Sequence, residues 1–119
     1  MRATGDLWEN IVLEHLQSAR LQLLARNYSS RYGEIDLIMR EDECVVFVEV
    51  RYRDLAALGD GTASVGASKR TKLIRTATMY LQAHAAFTDL ACRFDVVSCS
   101  GTPQLPRINW QRNAFEAYA

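Results

Sequence analysis

The sequence has three cysteines, two prolines, no excess of either charge, and no run of about 18 apolar residues. The missing apolar run leaves nothing to span a bilayer. The opening stretch Met1-Arg2-Ala3-Thr4-Gly5-Asp6 also has no apolar core of the kind a secretory signal needs. The expectation is a soluble, cytoplasmic protein. Cys44, Cys92 and Cys99 are an odd number with no paired ligand spacing, which argues against a disulfide framework and a zinc site. They read as reduced thiols packed as small hydrophobes. No nucleophile elbow or Ser-His-Asp motif is present. Gly59-Asp60-Gly61 follows a strand-like segment but lacks the lysine spacing of a phosphate-binding loop. His15 and His84 have no partners at a recognisable spacing, and His84 suits a helix C-terminus.

What is present fits one domain of 119 residues, with 49% hydrophobic residues, enough for a core. The balanced charge is unevenly distributed. Residues 1–50 carry five arginines against nine acids, and residues 51–119 carry nine bases against five acids. Summed charge predicts no nucleic-acid binding. The asymmetry allows an acidic half to face a basic, phosphate-binding half, or the charges simply solvate the surface.

Asp6 is placed to cap a helix running to about Ala19, with Trp8, Ile11, Val12, Leu16 and Ala19 along one side. Glu9 lies at the edge of that stripe, whereas Glu14 points away from it. Strands are expected over Leu21–Tyr28, Gly33–Arg40 and Cys44–Arg53, joined by short turns as an antiparallel meander. Residues 54–68 hold three glycines and no periodicity and read as a mobile loop. A second helix is expected over Lys69–Ala85, then strands over Ala91–Cys99 and Pro106–Trp110. The tail Asn113–Glu116 reads as a helical turn. The class is α/β, in the order αβββαββ.

Side chains alternate along a strand, so Glu34 and Asp36 share one face, as do Glu49 and Arg51. The apolar run Val45-Val46-Phe47-Val48 leads straight into Glu49, and an unpaired charge at the end of a buried strand costs several kcal/mol. Two explanations fit. Either Asp36 or Glu49 forms an ion pair with Arg51 or Arg53, or Asp36 and Glu49 are hard oxygen ligands for Mg²⁺. Lys69 and Arg70 in a first helical turn oppose the helix dipole unless a phosphate joins them there, or else both bend into solvent. Lys72, one turn on, is a further cation. Arg93 and Asp95 share a face and suit a structural ion pair near the sheet edge.

Several stretches resemble the YraN-like family of predicted endonucleases. They are Gly5 through Glu9, Leu24-Ala25-Arg26-Asn27, Gly33-Glu34-Ile35-Asp36-Leu37-Ile38 and Val46-Phe47-Val48-Glu49-Val50-Arg51-Tyr52-Arg53. Lys69 with Leu73, Ala77 and Leu81, then Arg93-Phe94-Asp95-Val96 and Asn113-Ala114-Phe115, continue the match in the same order. The resemblance implies a restriction-endonuclease-like mixed sheet of about five strands with flanking helices, a fold shared with Holliday-junction resolvases. It places Asp36 at the signature aspartate, Glu49 at the glutamate of Glu-x-Lys, Arg51 where the lysine belongs, and Glu9 at an additional helix-one glutamate. Asp36 and Glu49 would then hold Mg²⁺ or Mn²⁺, with the Val50 carbonyl, and with Glu9 through water. Arg53, Lys69, Arg70 and Lys72 would contact DNA, branched DNA included, and a homodimer is implied. Ile35 replaces the proline of the wider superfamily. Arg51 matters more, because a guanidinium keeps the proton that a lysine there can give up. The rival expectation is a catalytically silent module of the same fold that binds DNA or protein.

Overall fold

The computed structural model describes residues 3–53 and 65–117, with the side chains of residues 3 and 4 left out of the description. Helix α1 (Ala3–Ser18) is followed by strands β1 (Gln22–Ser30), β2 (Gly33–Glu41) and β3 (Cys44–Tyr52). Helix α2 (Ala67–Ala83), a single 3-10 turn (Ala85–Phe87), β4 (Ala91–Gly101) and β5 (Pro106–Phe115) complete the chain. The order αβββαββ is the one the sequence predicts. The strands form one mixed sheet in the order β1-β2-β3-β4-β5, parallel only between β3 and β4. Antiparallel neighbours need only short turns, here Arg31-Tyr32 and Asp42-Glu43. The parallel pair needs a long crossover, which α2 supplies.

Each face of the sheet is covered by one helix. Trp8, Val12 and Leu16 of α1 pack on Leu37, Met39, Val46, Val48 and Val97. Leu73, Ala77 and Tyr80 of α2 pack on Ile35, Ile38, Val45, Phe47, Phe94 and Val96. β3 is therefore buried on both sides, which is why its sequence is a continuous apolar run rather than an alternating one.

Three differences from the sequence reading exceed a shift of one or two residues at an element's end. α1 begins before Asp6, which lies in its first turn and does not cap it. It ends where Arg20 turns into the left-handed region (φ 73°), leaving Ala19 exposed, and the Leu21 amide donates back to the Leu16 carbonyl. Of the loop expected over 54–68, residues 54–64 lie outside the described residues, and residues 67–68 already belong to α2.

The third difference is the tail, which is strand rather than helical turn. β5 bulges opposite Asp95, with Asn113 at φ 52° and its amide donating to the Asp95 carboxylate at 2.9 Å. Beyond the bulge Phe115 returns to the ladder opposite Phe94 and stacks on it at 4.8 Å. A polar stretch that owes its conformation to one distant carboxylate carries no periodicity to read.

The Arg93–Asp95 pair forms on β4, the strand next to the edge strand β5. Among the cysteines Cys92 is exposed rather than packed, and Cys44 is half-buried. Cys99 is buried, and burial pushes its thiol up to about 11. His15 has a partner that sequence did not reveal, since it meets the Trp110 ring edge-on at 6.1 Å. His84 follows α2, its Nδ1 within 2.8 Å of the Tyr80 carbonyl.

Candidate active site

β2 and β3 are paired from Glu41 and Cys44 as far as Leu37 and Val48. One register step beyond that last pair stand Asp36 and Glu49, where the two strands part. The Val50 amide, which a continued ladder would use, donates to Asp36 Oδ2 at 2.8 Å. A hydrogen bond joins the two carboxyl groups. Glu49 is buried, 6% exposed, on the face of the sheet that α2 covers. Its ion-pair partner from α2 is Lys69, whose Nζ meets Glu49 Oε2. Sequence spacing offered Arg51 or Arg53 for this role. A cation also comes from the helix crossing over that end of the sheet, a pairing that spacing along one strand cannot show, and the Glu49 charge acts on Arg51 as well.

Asp36 is pushed up to about 7. Burial contributes most, followed by the Glu49 charge. Glu9 and the hydrogen bond to Glu49 add to it, and the Val50 amide opposes it. Two acids held this close in a partly desolvated place do not both ionise readily near neutral pH. Glu9, also buried, reaches the same end of the sheet from α1. It accepts a hydrogen bond from Asn27 Nδ2 at 3.0 Å, and Arg26 Nη2 stands 3.6 Å from the same oxygen. Asn27, at φ 50°, also reaches Glu34 Oε1 at 3.4 Å, linking the two glutamates. Asn27 carries no charge and no motif-like spacing, so its role was legible only as part of a family-like stretch.

The carboxylates open into a cleft of about 730 Å³. Tyr32, Gly33 and Glu34 line it from the hairpin, and Ser68, Lys69, Lys72 and Leu73 line it from α2. An acidic floor thus faces basic groups from the second half of the chain. Of the expected basic contacts, Lys69 and Lys72 reach this cleft. Arg70 lines a separate depression beside Phe115 and Glu116. Arg51 and Arg53 are half-buried, and the Arg53 amide donates to the Cys99 carbonyl at 2.7 Å. Burial and the neighbouring Arg53 lower the Arg51 pKa, against the pull of Glu49. Tyr32 and Ser68 were not singled out by sequence.

Asp36 and Glu49 offer oxygen ligands of the kind a hard divalent cation takes, with Lys69 already paired to Glu49. Among the described residues no cluster of three or more His, Cys, Asp or Glu forms a cage. Mg²⁺ needs none, since one or two carboxylates and several waters satisfy it. No helix among the described residues is long and apolar enough to cross a membrane.

Residues 8–99 match the family model described as uncharacterised protein family UPF0102. A UPF0102 protein from Stutzerimonas stutzeri is 46% identical over 116 residues, covering 98% of this chain and 97% of the relative. One from Nitrosomonas europaea is 50% identical, covering 94% and 92%. One from Xanthomonas campestris pv. campestris is 51% identical, covering 93% and 89%.

Proposed function

As the chain belongs to the UPF0102 family, whose name carries no activity, we propose its function from the site: metal-dependent hydrolysis of phosphodiesters in DNA. One observation carries this reading. Asp36 and Glu49 converge where β2 and β3 part, with Lys69 on Glu49, at the floor of an open cleft. The resemblance to the YraN-like predicted endonucleases supports it.

Asp36 and Glu49 would hold Mg²⁺ or Mn²⁺, which when bound polarises a phosphoryl oxygen and acidifies water. Lys69 supplies positive charge beside Glu49, facing the place a scissile phosphate would occupy. It brings a lysine to the carboxylates from α2, while Arg51 occupies the strand position where the signature has one. Lys72 stands one helical turn further out as a phosphate contact. Val50 fixes the Asp36 carboxylate, and Glu9 raises the local negative potential, which favours a cation.

The test is incubation with linear, flapped and four-way DNA in Mg²⁺, Mn²⁺ or EDTA. Cleavage that needs metal is expected. Its absence on all three substrates under every condition would leave the rival, a silent binding module, which the Glu49–Lys69 ion pair favours as a purely structural contact. Lys69→Ala is expected to lower cleavage by about 10²-fold, as loss of an electrostatic donor does. Arg51→Ala is expected to cost less. The reverse ranking would return the lysine role to the strand position.

Metal binding has a readout that needs no turnover. At about ten times its Kd a cation adds about 1.4 kcal/mol to stability, visible as a rise in Tm of a few degrees. The rise should vanish in the Asp36→Ala/Glu49→Ala double variant. An equal rise there would place the cation elsewhere.

A further inference from the structure

The outer lip of the cleft has chemistry that the carboxylates do not explain. Tyr32 occupies the β1–β2 turn and lines the cleft. Its ring lies 5.0 Å from the Arg31 guanidinium carbon and 5.4 Å from that of Arg75 on α2. Arg31 Nη2 also donates to the Tyr32 hydroxyl at 2.9 Å. Arg31 and Arg75 are exposed, and Tyr32 is half-buried. The turn is held against α2 from beneath, where Ser30 Oγ and Thr76 Oγ1 are 2.7 Å apart and Tyr28 meets Tyr80 edge-on at 5.1 Å. α2 carries Lys69, Arg70, Lys72 and Arg75 and no acid at all. Lys69, Lys72 and Tyr32 thus line one cleft, and the Tyr32 ring has the Arg31 and Arg75 guanidiniums against it.

We propose that this lip binds an unpaired nucleic-acid strand, with a base stacked on the Tyr32–arginine platform and the flanking phosphates on Lys72 and Arg75, so that the cleft receives single-stranded rather than base-paired substrate. The platform decides between the two. In a duplex the base faces are already stacked on one another and only edges and phosphates are offered to a protein. An unpaired base offers its face to tyrosine and guanidinium planes. Lysines alone would grip either form through phosphate. Holding the turn on α2 keeps the platform at a fixed distance from Asp36 and Glu49, as positioning of a scissile bond requires.

The inference rests on the phosphodiester reading for what happens in the cleft, but its test does not need cleavage. Binding of the full chain is measured in EDTA by fluorescence anisotropy, at one salt concentration, with labelled oligo-dT and oligo-rU of about 16 nucleotides and a blunt DNA duplex of the same length. The expected result is at least about tenfold tighter binding of a single strand than of duplex. Tyr32→Ala should weaken single-strand binding by about 5- to 100-fold, as loss of one stacked base does, and leave duplex binding nearly unchanged. Tyr32→Phe should keep the preference, and Arg75→Ala should weaken both forms. Comparing the two oligomers tells whether deoxyribose or ribose strands are preferred. Thermal melts of the three variants guard against a loss that merely reports unfolding. Equal affinity for single strand and duplex, equal losses on both in Tyr32→Ala, or a Tyr32→Phe variant as weak as Tyr32→Ala would each overturn the proposal. A Tyr32-dependent preference without cleavage under any metal keeps the lip and removes the nuclease. Cleavage without the preference does the opposite.

Discussion

Asp36→Asn is expected to lower metal-dependent cleavage by at least about 10³-fold and, in the same protein, to raise stability at pH 8. The first effect exceeds that of a single electrostatic donor, about 10²–10³-fold, because the change removes one of two cation ligands. The second follows from the carboxyl being held at about 7, against an ordinary 3.8, chiefly by burial and then by Glu49. Between those two values the folded protein binds more protons at this position than the unfolded chain, so this acid's contribution to stability falls as pH rises. It is neutral below about pH 4 and fully unfavourable above about pH 7. At about 1.4 kcal/mol per pKa unit the upper bound is about 4 kcal/mol, and relaxation brings the expected gain to on the order of 2 kcal/mol. Asparagine keeps an oxygen for the Val50 amide, so the local backbone is undisturbed. Urea denaturation at pH 4.5, 6 and 8 should show a gain that grows with pH. A variant that loses stability at pH 8 would mean that the ionised carboxylate is stabilised in the fold, against the repulsion argued above.

The largest loss of stability is expected one strand over, on β4, where Asp95 pairs with Val48 beside Glu49. Asp95 is 1% exposed and its carboxylate accepts four hydrogen bonds. Arg93 Nε donates at 3.0 and 3.2 Å, Trp110 Nε1 at 2.9 Å and the Asn113 amide at 2.9 Å. Arg93 and Arg112 each reach Glu41 Oε1 at 2.8 Å, and Arg112 lies over the Trp110 ring at 3.9 Å. Asp95→Ala leaves the half-buried Arg93 guanidinium with Glu41 as its one remaining carboxylate here and two donors without an acceptor, and it releases the β5 bulge. Removing one partner of such a pair typically costs about 3–5 kcal/mol, and that loss is expected in the urea midpoint at neutral pH. Near-UV circular dichroism should report the Trp110 environment. Arg93→Leu/Asp95→Leu should recover much of the loss, because no charge is then left buried alone. A double variant as unstable as Asp95→Ala would assign the loss to the bulge rather than to the ion pair. Binding in the cleft should be little changed, since none of these residues lines it.

Local sequence pattern set the element order, the antiparallel β1–β2–β3 meander and the approach of Asp36 to Glu49 across the β2–β3 hairpin. These are local matters. Apolar periodicity sets helix or strand, short turns force antiparallel neighbours, and alternation puts Glu49 on one face of β3 beyond a run that only a doubly covered strand can bury. Tertiary structure alone decided which cation meets Glu49, since Lys69 lies 20 positions away and arrives only because α2 crosses that end of the sheet. It also decided that Glu9 is buried beside Asn27, that Arg70 faces away from the cleft, and that Tyr32 lies between Arg31 and Arg75. Most plainly it decided the tail, where Asn113 to Phe115 follow the strand because a buried carboxylate on β4 takes an amide of β5. Local pattern encodes what neighbours along the chain do to one another. Hydrogen bonds and charges between distant segments form only after packing has brought those segments together.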